Sequence, residues 1–229
     1  MKNSTIKIKN PKFELFSTDD KFIDISDYYG KKIILFIWAS WWGCREQLPV
    51  WQEFYDKYNK YVRILSIAID FQGKSKVIPY IEKLDLKFPT LIDEKNITGQ
   101  LYNFKAVPNG IMIDEYGNIA YKKIGGFDIR DKEIKVELIN WFTKSYSIEP
   151  IQNKMIDIKE EAVNLFEKGM THYESNNIKL AIKYWKKSVE IDPDNYIIRK
   201  QIWAIENPEK FYSGKIDYNW QKNNIKQNK

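Results

Sequence analysis

The sequence contains one cysteine, Cys44, and one histidine, His172, among its 229 residues. A single cysteine excludes an intramolecular disulfide framework, so the stability of the fold must come from packing. The acidic side chains show no metal-ligand spacing, and Gly125-Gly126 lacks the residue spacing of a phosphate-binding loop. The sequence therefore predicts no metal site and no cofactor.

Long apolar runs are also absent. No stretch approaches the roughly 18 consecutive apolar residues of a membrane-spanning helix, and residues 1–10 lack the apolar core of a signal peptide. We therefore expect a cytoplasmic protein with no membrane partner. The formal charge is +6, but 37 basic residues are interleaved with 31 acidic ones, and the sharpest basic cluster is the tail at 222–229. Because nucleic-acid-binding proteins usually gather basic residues on one face, we expect no nucleic-acid partner.

The first two-thirds of the chain alternates between strand and helix patterns. Ile33–Trp38 is a run of six apolar residues, which is typical of a strand buried on both faces of a sheet. A helical pattern follows at 45–61, with a bend expected at Pro49, and then an apolar strand at 62–69 and a helix at 76–84. This order predicts a right-handed parallel crossover. The other elements expected here are a hairpin at 13–25, strands at 110–114 and 119–124, and a helix at 131–142.

The remainder of the chain is predicted to be helical. Residues 145–158 contain Ser, Pro, Gln and Asn with little periodicity, and we interpret them as a linker. Helices are expected at 160–174, 178–191 and 196–206. The predicted organisation is an α/β domain at 1–144, the linker at 145–158, and a small all-α module with an aromatic C-terminal tail at 159–229.

The first two helices of this module resemble a tetratricopeptide repeat. The residues that carry the resemblance are Leu165, Gly169, Ala181, Trp185, Ser188 and Pro193. His172 stands where the repeat usually has an aromatic residue. Only one repeat is visible, whereas stacked repeats normally number about three. A stabilising cap and a docking site for a protein partner both remain open as roles for the module.

Cys44 lies where the buried strand gives way to a helix. A sulfur near the first-turn N–H groups of a helix is favoured as a thiolate, and Arg45 beside it adds positive charge. An inert buried cysteine is the alternative that the residues alone leave open.

Residues 36–49, Phe-Ile-Trp-Ala-Ser-Trp-Trp-Gly-Cys-Arg-Glu-Gln-Leu-Pro, resemble the redox turn of the ResA and TlpA type of thioredoxin-like proteins. The segments at 13–15 and 27–31 resemble the N-terminal hairpin of that family. The resemblance covers roughly residues 1–144. It implies a thioredoxin fold, a central mixed sheet flanked by helices, which the small helical hairpin module follows.

The same resemblance assigns roles to individual residues. Ala106-Val-Pro matches the family's loop that faces the redox turn with a cis-proline. Val107 would present backbone groups to an extended substrate beside Pro108. Trp41 and Gly43 would complete the substrate-binding surface. We call Trp41-Trp42-Gly43-Cys44 the redox turn.

The redox turn departs from the common family pattern because it lacks the Cys-x-x-Cys pair. Residues 38–44, Trp-Ala-Ser-Trp-Trp-Gly-Cys, are instead similar to the Trp-Ala-x-x-Sec-Gly-Cys signature of a ResA-like selenoprotein group. That resemblance puts Trp42 at the selenocysteine position. Selenocysteine is encoded by UGA, a codon that other translation codes read as tryptophan. This suggests the hypothesis that residue 42 is natively selenocysteine.

This resemblance implies an enzyme, a thiol/selenol–disulfide oxidoreductase, with residue 42 as the nucleophile and Cys44 as the resolving thiol. Its partners would be a disulfide-containing or peroxide substrate and a thiol reductant. Two alternatives stay open. One is a redox-inactive thioredoxin-fold binding module that uses the helical hairpin for protein interaction. The other is a one-cysteine peroxiredoxin-like peroxidase in which Cys44 forms a sulfenic acid.

Overall fold

A computed structural model describes residues 8–143 and 159–227 of the chain. The predicted linker at 145–158 lies outside the described residues. The described chain divides into two compact units. The first contains residues 8–40 and 44–143, and the second contains Trp41–Gly43 with residues 159–227.

The first unit is built on one mixed sheet of eight strands within residues 8–143. In chain order the strands are β1 (Ile8–Lys9), β2 (Glu14–Ser17), β3 (Phe22–Asp24), β4 (Ile33–Trp38), β5 (Arg63–Ala68), β6 (Thr90–Ile92), β7 (Asn109–Ile113) and β8 (Asn118–Lys123). Their order across the sheet is β1-β8-β7-β4-β5-β6-β2-β3. The pairs β4–β5 and β5–β6 are parallel, and the other neighbours are antiparallel.

Strand β4 lies at the centre of this sheet, and all six of its residues are buried. It is parallel to β5, with Trp38 opposite Ala68, and antiparallel to β7, with Ile37 opposite Asn109. A continuous apolar run suits this position because both faces of the strand are covered. The strand predicted at these bounds is confirmed.

Four α-helices flank the sheet in residues 8–143. They are α1 (Leu48–Tyr58), α2 (Lys74–Lys83), α3 (Ile97–Tyr102) and α4 (Lys132–Thr143). The helix predicted at 45–61 is wrong at its start, because a 3-10 helix occupies Gly43–Gln47 and α1 begins only at Leu48. Pro49 lies in the first turn of α1, where its missing N–H removes no helical hydrogen bond. It therefore initiates the helix and does not bend its interior.

An aromatic cluster fills the core between β4 and α1. The Trp51 ring stacks on Phe36, with 4.9 Å between centroids, and lies 5.8 Å from Phe127. Gly110 on β7 packs against the same Phe127 ring, since a Cβ built on it would lie 2.5 Å from the ring carbons. The mixed sheet, its helices and this core confirm the predicted α/β thioredoxin-like fold class.

The described part of the second unit contains five helices. They are α5 (Glu160–Glu174), α6 (Ile178–Ile191), α7 (Tyr196–Glu206), α8 (Glu209–Tyr212) and α9 (Tyr218–Gln227). The bounds predicted for the first three are confirmed. No helix in the described residues is both long enough and apolar enough to cross a membrane.

Small residues allow α5 and α6 to pack closely. The Trp185 indole lies directly over Gly169, so that a Cβ there would overlap it, and its Nε1 donates to Phe166 O at 3.2 Å. Ser188 Oγ donates to Ala162 O at 2.7 Å. These contacts hold α5 closely against α6, and α6 also packs against α7.

The aromatic tail packs onto the helices of the same unit, as expected. The Trp220 ring lies 5.6 Å from Trp203 and 6.0 Å from Phe211, edge-on in both pairs.

Candidate active site

The sheet register brings three segments of the first unit to one edge. The chain leaves β4 after Trp38 and leaves the parallel strand β5 after Ala68, which is the partner of Trp38. The antiparallel strand β7 begins at Asn109, opposite Ile37. Residues 39–40 and 44, 69–70 and 107–108 therefore lie along the edge formed by the carboxyl ends of the parallel strands, where α/β sheets usually bind ligands.

Cys44 is buried at this edge, with 3% of its surface exposed. Its Sγ accepts a hydrogen bond from Ala39 N at 3.4 Å and lies 3.7 Å from Ala39 O, to which a protonated thiol donates. The first contact stabilises a thiolate and the second stabilises the thiol. The sulfur thus has a backbone partner in either protonation state.

Asp70 lies two residues after the end of β5 and is wholly buried. Its carboxylate accepts from Ser40 N at 3.0 Å and from Ser40 Oγ at 2.5 Å. Burial raises the pKa of Asp70 to about 6, although the Ser40 hydrogen bonds and the Arg45 charge act in the opposite direction. This residue was not identified from the sequence. Its only signal was an acidic side chain directly after an apolar strand, a pattern that is equally typical of a turn.

Arg45 contacts the backbone carbonyl of Ser40, whereas Asp70 contacts its N–H and hydroxyl groups. Its Nη1 donates to Ser40 O at 2.8 Å and to Tyr80 Oη at 2.6 Å, and its guanidinium lies 5.1 Å from the centre of the Tyr80 ring. The backbone at the end of β4 is therefore fixed by two charged side chains. The thiolate-stabilising role expected of Arg45 stays a prediction.

The Val107–Pro108 peptide bond is cis, which confirms the expected isomer. Val107 is 7% exposed, and Pro108 O accepts from Phe127 N at 3.4 Å. The substrate-binding roles of both residues stay predictions. No group of three or more metal-binding side chains occurs in the part of the chain that the structure describes.

The rest of the redox turn, Trp41–Gly43, belongs to the second unit by its contacts. Trp41 is buried, and Trp42 and Gly43 are partly exposed. Within that unit the Trp42 ring meets Tyr218 edge-on, with 5.3 Å between centroids, and Lys200 Nζ lies 3.0 Å from its centre. An indole cannot exchange with a disulfide, so residue 42 as tryptophan supplies no nucleophile.

The order of the strands, the turn after β4 and the cis-proline before β7 define a thioredoxin-fold protein. Two solved structures share this fold. The thioredoxin domain of a thiol-disulfide oxidoreductase from Bacteroides vulgatus has a TM-score of 0.51 and 16% identity, covering 61% of this chain and 99% of that one. The pneumococcal exposed lipoprotein thioredoxin from Streptococcus pneumoniae has a TM-score of 0.50 and 25% identity, covering 57% and 99%.

The AhpC/TSA family profile matches residues 6–122, just over half of the chain, and the chain belongs to this family. It is similar to the thioredoxin-like protein YneN of Bacillus subtilis, with 29% identity over 131 residues, which is 56% of this chain and 76% of that protein. It is also similar to the thiol-disulfide oxidoreductase ResA of Bacillus cereus, with 31% identity over 117 residues, which is 50% of this chain and 67% of that protein.

Proposed function

We propose that the protein is a thiol/selenol–disulfide oxidoreductase in which residue 42 is the nucleophile and Cys44 is the resolving thiol. The observation that carries the proposal is the position of Cys44 Sγ at the end of β4, next to Ala39 and on the sheet edge where β7 begins after a cis-proline. The similarity to ResA, a protein named for thiol–disulfide exchange, supports the same chemistry.

The assignment of residue 42 as the nucleophile depends on whether codon 42 is translated as selenocysteine or as tryptophan. The turn holds Cys44 but no second cysteine, and the spacing Trp-Ala-Ser-Trp-Trp-Gly-Cys is similar to that of the selenoprotein signature. Selenocysteine at this position would complete a two-chalcogen centre with Cys44. A UGA codon at position 42 supports this assignment, and a UGG codon contradicts it.

The proposed reaction is a two-electron exchange. The selenolate of residue 42 attacks one sulfur of a substrate disulfide, so that an Se–S bond forms, the S–S bond breaks, and the first substrate thiolate leaves. Cys44 thiolate then attacks the selenium, which forms the internal selenenylsulfide and releases the second substrate thiolate. The substrate disulfide is reduced and the residue 42–Cys44 pair is oxidised. An external dithiol returns the pair to its reduced form.

The second candidate is a redox-inactive binding module. The tryptophan at position 42 and the low exposure of Cys44 favour it, because neither residue then offers an accessible nucleophile. In that case the helical hairpin of α5 and α6, which is similar to a tetratricopeptide repeat, would supply the surface for a protein partner.

Three variants separate these functions. Trp42→Cys supplies a thiol where selenocysteine is proposed, and Trp42→Ser is its matched control because it has a similar size and no thiol. Reduction of insulin disulfides by dithiothreitol should be roughly tenfold or more faster with Trp42→Cys than with Trp42→Ser. The double variant Trp42→Cys/Cys44→Ser should lose most of this gain, because the mixed intermediate is no longer resolved internally.

Equal rates for Trp42→Cys and Trp42→Ser would contradict the oxidoreductase and favour the binding module. Peroxide-dependent labelling of Cys44 by dimedone in the unsubstituted protein would point to the one-cysteine peroxidase instead, since dimedone reacts with sulfenic acids. In that reaction the thiolate attacks one peroxide oxygen and forms the S–O bond of the sulfenic acid, while the O–O bond breaks. The other oxygen leaves as hydroxide or alkoxide and takes a proton from solvent to become water or an alcohol.

A further inference from the structure

We propose that Asp70 is a positioning residue for the redox turn, and that it acts on Cys44 through the peptide group that joins Ala39 to Ser40. The inference rests on the proposed function only in that it concerns the reactivity of Cys44. It adds a buried carboxylate, which was not identified from the sequence, to the groups that set this reactivity.

Asp70 and Cys44 are linked to opposite ends of one peptide group. At one end, Ser40 N–H donates to Asp70 Oδ2 at 3.0 Å. At the other end, Ala39 O lies 3.7 Å from Cys44 Sγ. A peptide group is planar and rigid, so its two ends cannot reorient independently. The hydrogen bond from Ser40 N–H to Asp70 therefore also fixes the direction in which Ala39 O faces Cys44 Sγ.

Further contacts hold this peptide group in place. Ser40 Oγ makes a second hydrogen bond to Asp70 at 2.5 Å, which restrains the side chain as well as the backbone of Ser40. Arg45 Nη1 donates to Ser40 O at 2.8 Å and closes the segment from Ser40 to Arg45 into a ring that contains the redox turn. The charged and titratable groups around Asp70 are Arg45, Lys76 and Tyr80.

The charge on Asp70 should also influence the sulfur. An ionised carboxylate that accepts from Ser40 N–H polarises the peptide group and makes Ala39 O a stronger acceptor. A stronger acceptor favours the protonated thiol of Cys44 over the thiolate. Because burial raises the pKa of Asp70 to about 6, the carboxylate is charged at neutral pH and loses its charge at lower pH. Removing the charge at neutral pH should therefore favour the Cys44 thiolate.

The test compares Asp70→Asn with Asp93→Asn. In Asp70→Asn the side-chain amide keeps an oxygen for Ser40 N–H and offers an N–H to Ser40 Oγ, but it carries no charge. Asp93 is the matched control, since it is also wholly buried and its pKa is also raised by burial, yet it accepts from Ile97 N and Thr98 N at the start of α3. The readout is the rate of modification by methyl methanethiosulfonate against pH. Cys44 is the one cysteine of the sequence, so every modified thiol is Cys44.

We expect the midpoint of this pH profile to fall by roughly half a unit to one unit in Asp70→Asn and to stay unchanged in Asp93→Asn. An unchanged midpoint in Asp70→Asn, or an equal shift in both variants, would overturn the proposal. If Asp70→Asn does not fold, the profile of the unsubstituted protein decides. A second inflection near pH 6, besides the titration of Cys44 itself, supports the proposal. A rate profile that fits the titration of one group contradicts it. No turnover is involved, so an inactive Trp42→Cys variant would reject the proposed function and leave this result intact.

Discussion

Asp70 should make the protein more stable in mild acid than at neutral pH, and replacing it by asparagine should remove this effect. Burial raises the pKa of the folded-state carboxyl to about 6 from the ordinary 3.8. Between these two values the folded state holds a proton that the unfolded state has released. The free energy of unfolding contributed by this group therefore increases as the pH falls through 6 and levels off below about 4.

The size of the effect follows from the two pKa values. A shift of this size limits the whole contribution to about 3 kcal/mol. Lowering the pH from 8 to 5 should raise the free energy of unfolding by roughly 1.4 kcal/mol through Asp70. At pH 5 most of the Asp70 population is protonated in the folded state, whereas most is ionised in the unfolded state. Asp70→Asn does not titrate, so its free energy of unfolding should lack this increment.

Urea unfolding, followed by tryptophan fluorescence at pH 8 and pH 5, measures the difference. The unsubstituted protein and Asp70→Asn share all other carboxyl groups, including Asp19 and Asp128 with their lowered pKa values and Asp93 with its raised one. Their contributions cancel when the two pH profiles are subtracted. Parallel profiles, with no difference above about 0.5 kcal/mol, would refute the burial argument for Asp70.

Two glycine substitutions test the close packing of each unit separately. Gly110→Ala should lower the free energy of unfolding by about 1–3 kcal/mol, because the added methyl group meets the Phe127 ring at 2.5 Å; an unchanged urea midpoint would show that the ring can move aside. Gly169→Ala should destabilise the α5–α6 hairpin by a similar amount, because its methyl group would overlap the Trp185 indole. Helical circular dichroism measured against urea follows this loss, and a more stable variant would contradict the predicted overlap, since alanine is otherwise the better helix former.

The elements with strong periodicity were predictable from the sequence. Strand β4 and helices α5, α6 and α7 have the predicted bounds because six continuous apolar residues suit only a buried position, and because turn residues delimit each helix. The start of α1 was not predictable at this level. The apolar residues at helical spacing begin at Leu48 and do not show how the chain before them is folded. Gly43–Gln47 is a 3-10 helix in which Arg45 donates to Ser40 O and Gln47 accepts from Ile129 N.

Several short elements were not predicted because they contain too few residues to show the apolar spacing of a strand or a helix. Strands β1 and β6 have two and three residues, and α3 has six. Helix α3 begins four residues after Asp93, whose buried carboxylate accepts the N–H groups of Ile97 and Thr98. The resemblance to thioredoxin-like proteins suggested Cys44 and the cis-proline, whereas no local pattern distinguishes Asp70 from an exposed turn residue.

The position of β7 has a consequence for the nascent chain. Cys44 is synthesised about 65 residues before Asn109, which pairs with Ile37 at the start of β7. At 5–20 residues per second, translation leaves the thiol without this part of its surroundings for roughly 3 to 13 s. During that interval the sulfur has no completed sheet edge beside it. The fold therefore cannot protect Cys44 from oxidation until β7 has been synthesised and paired.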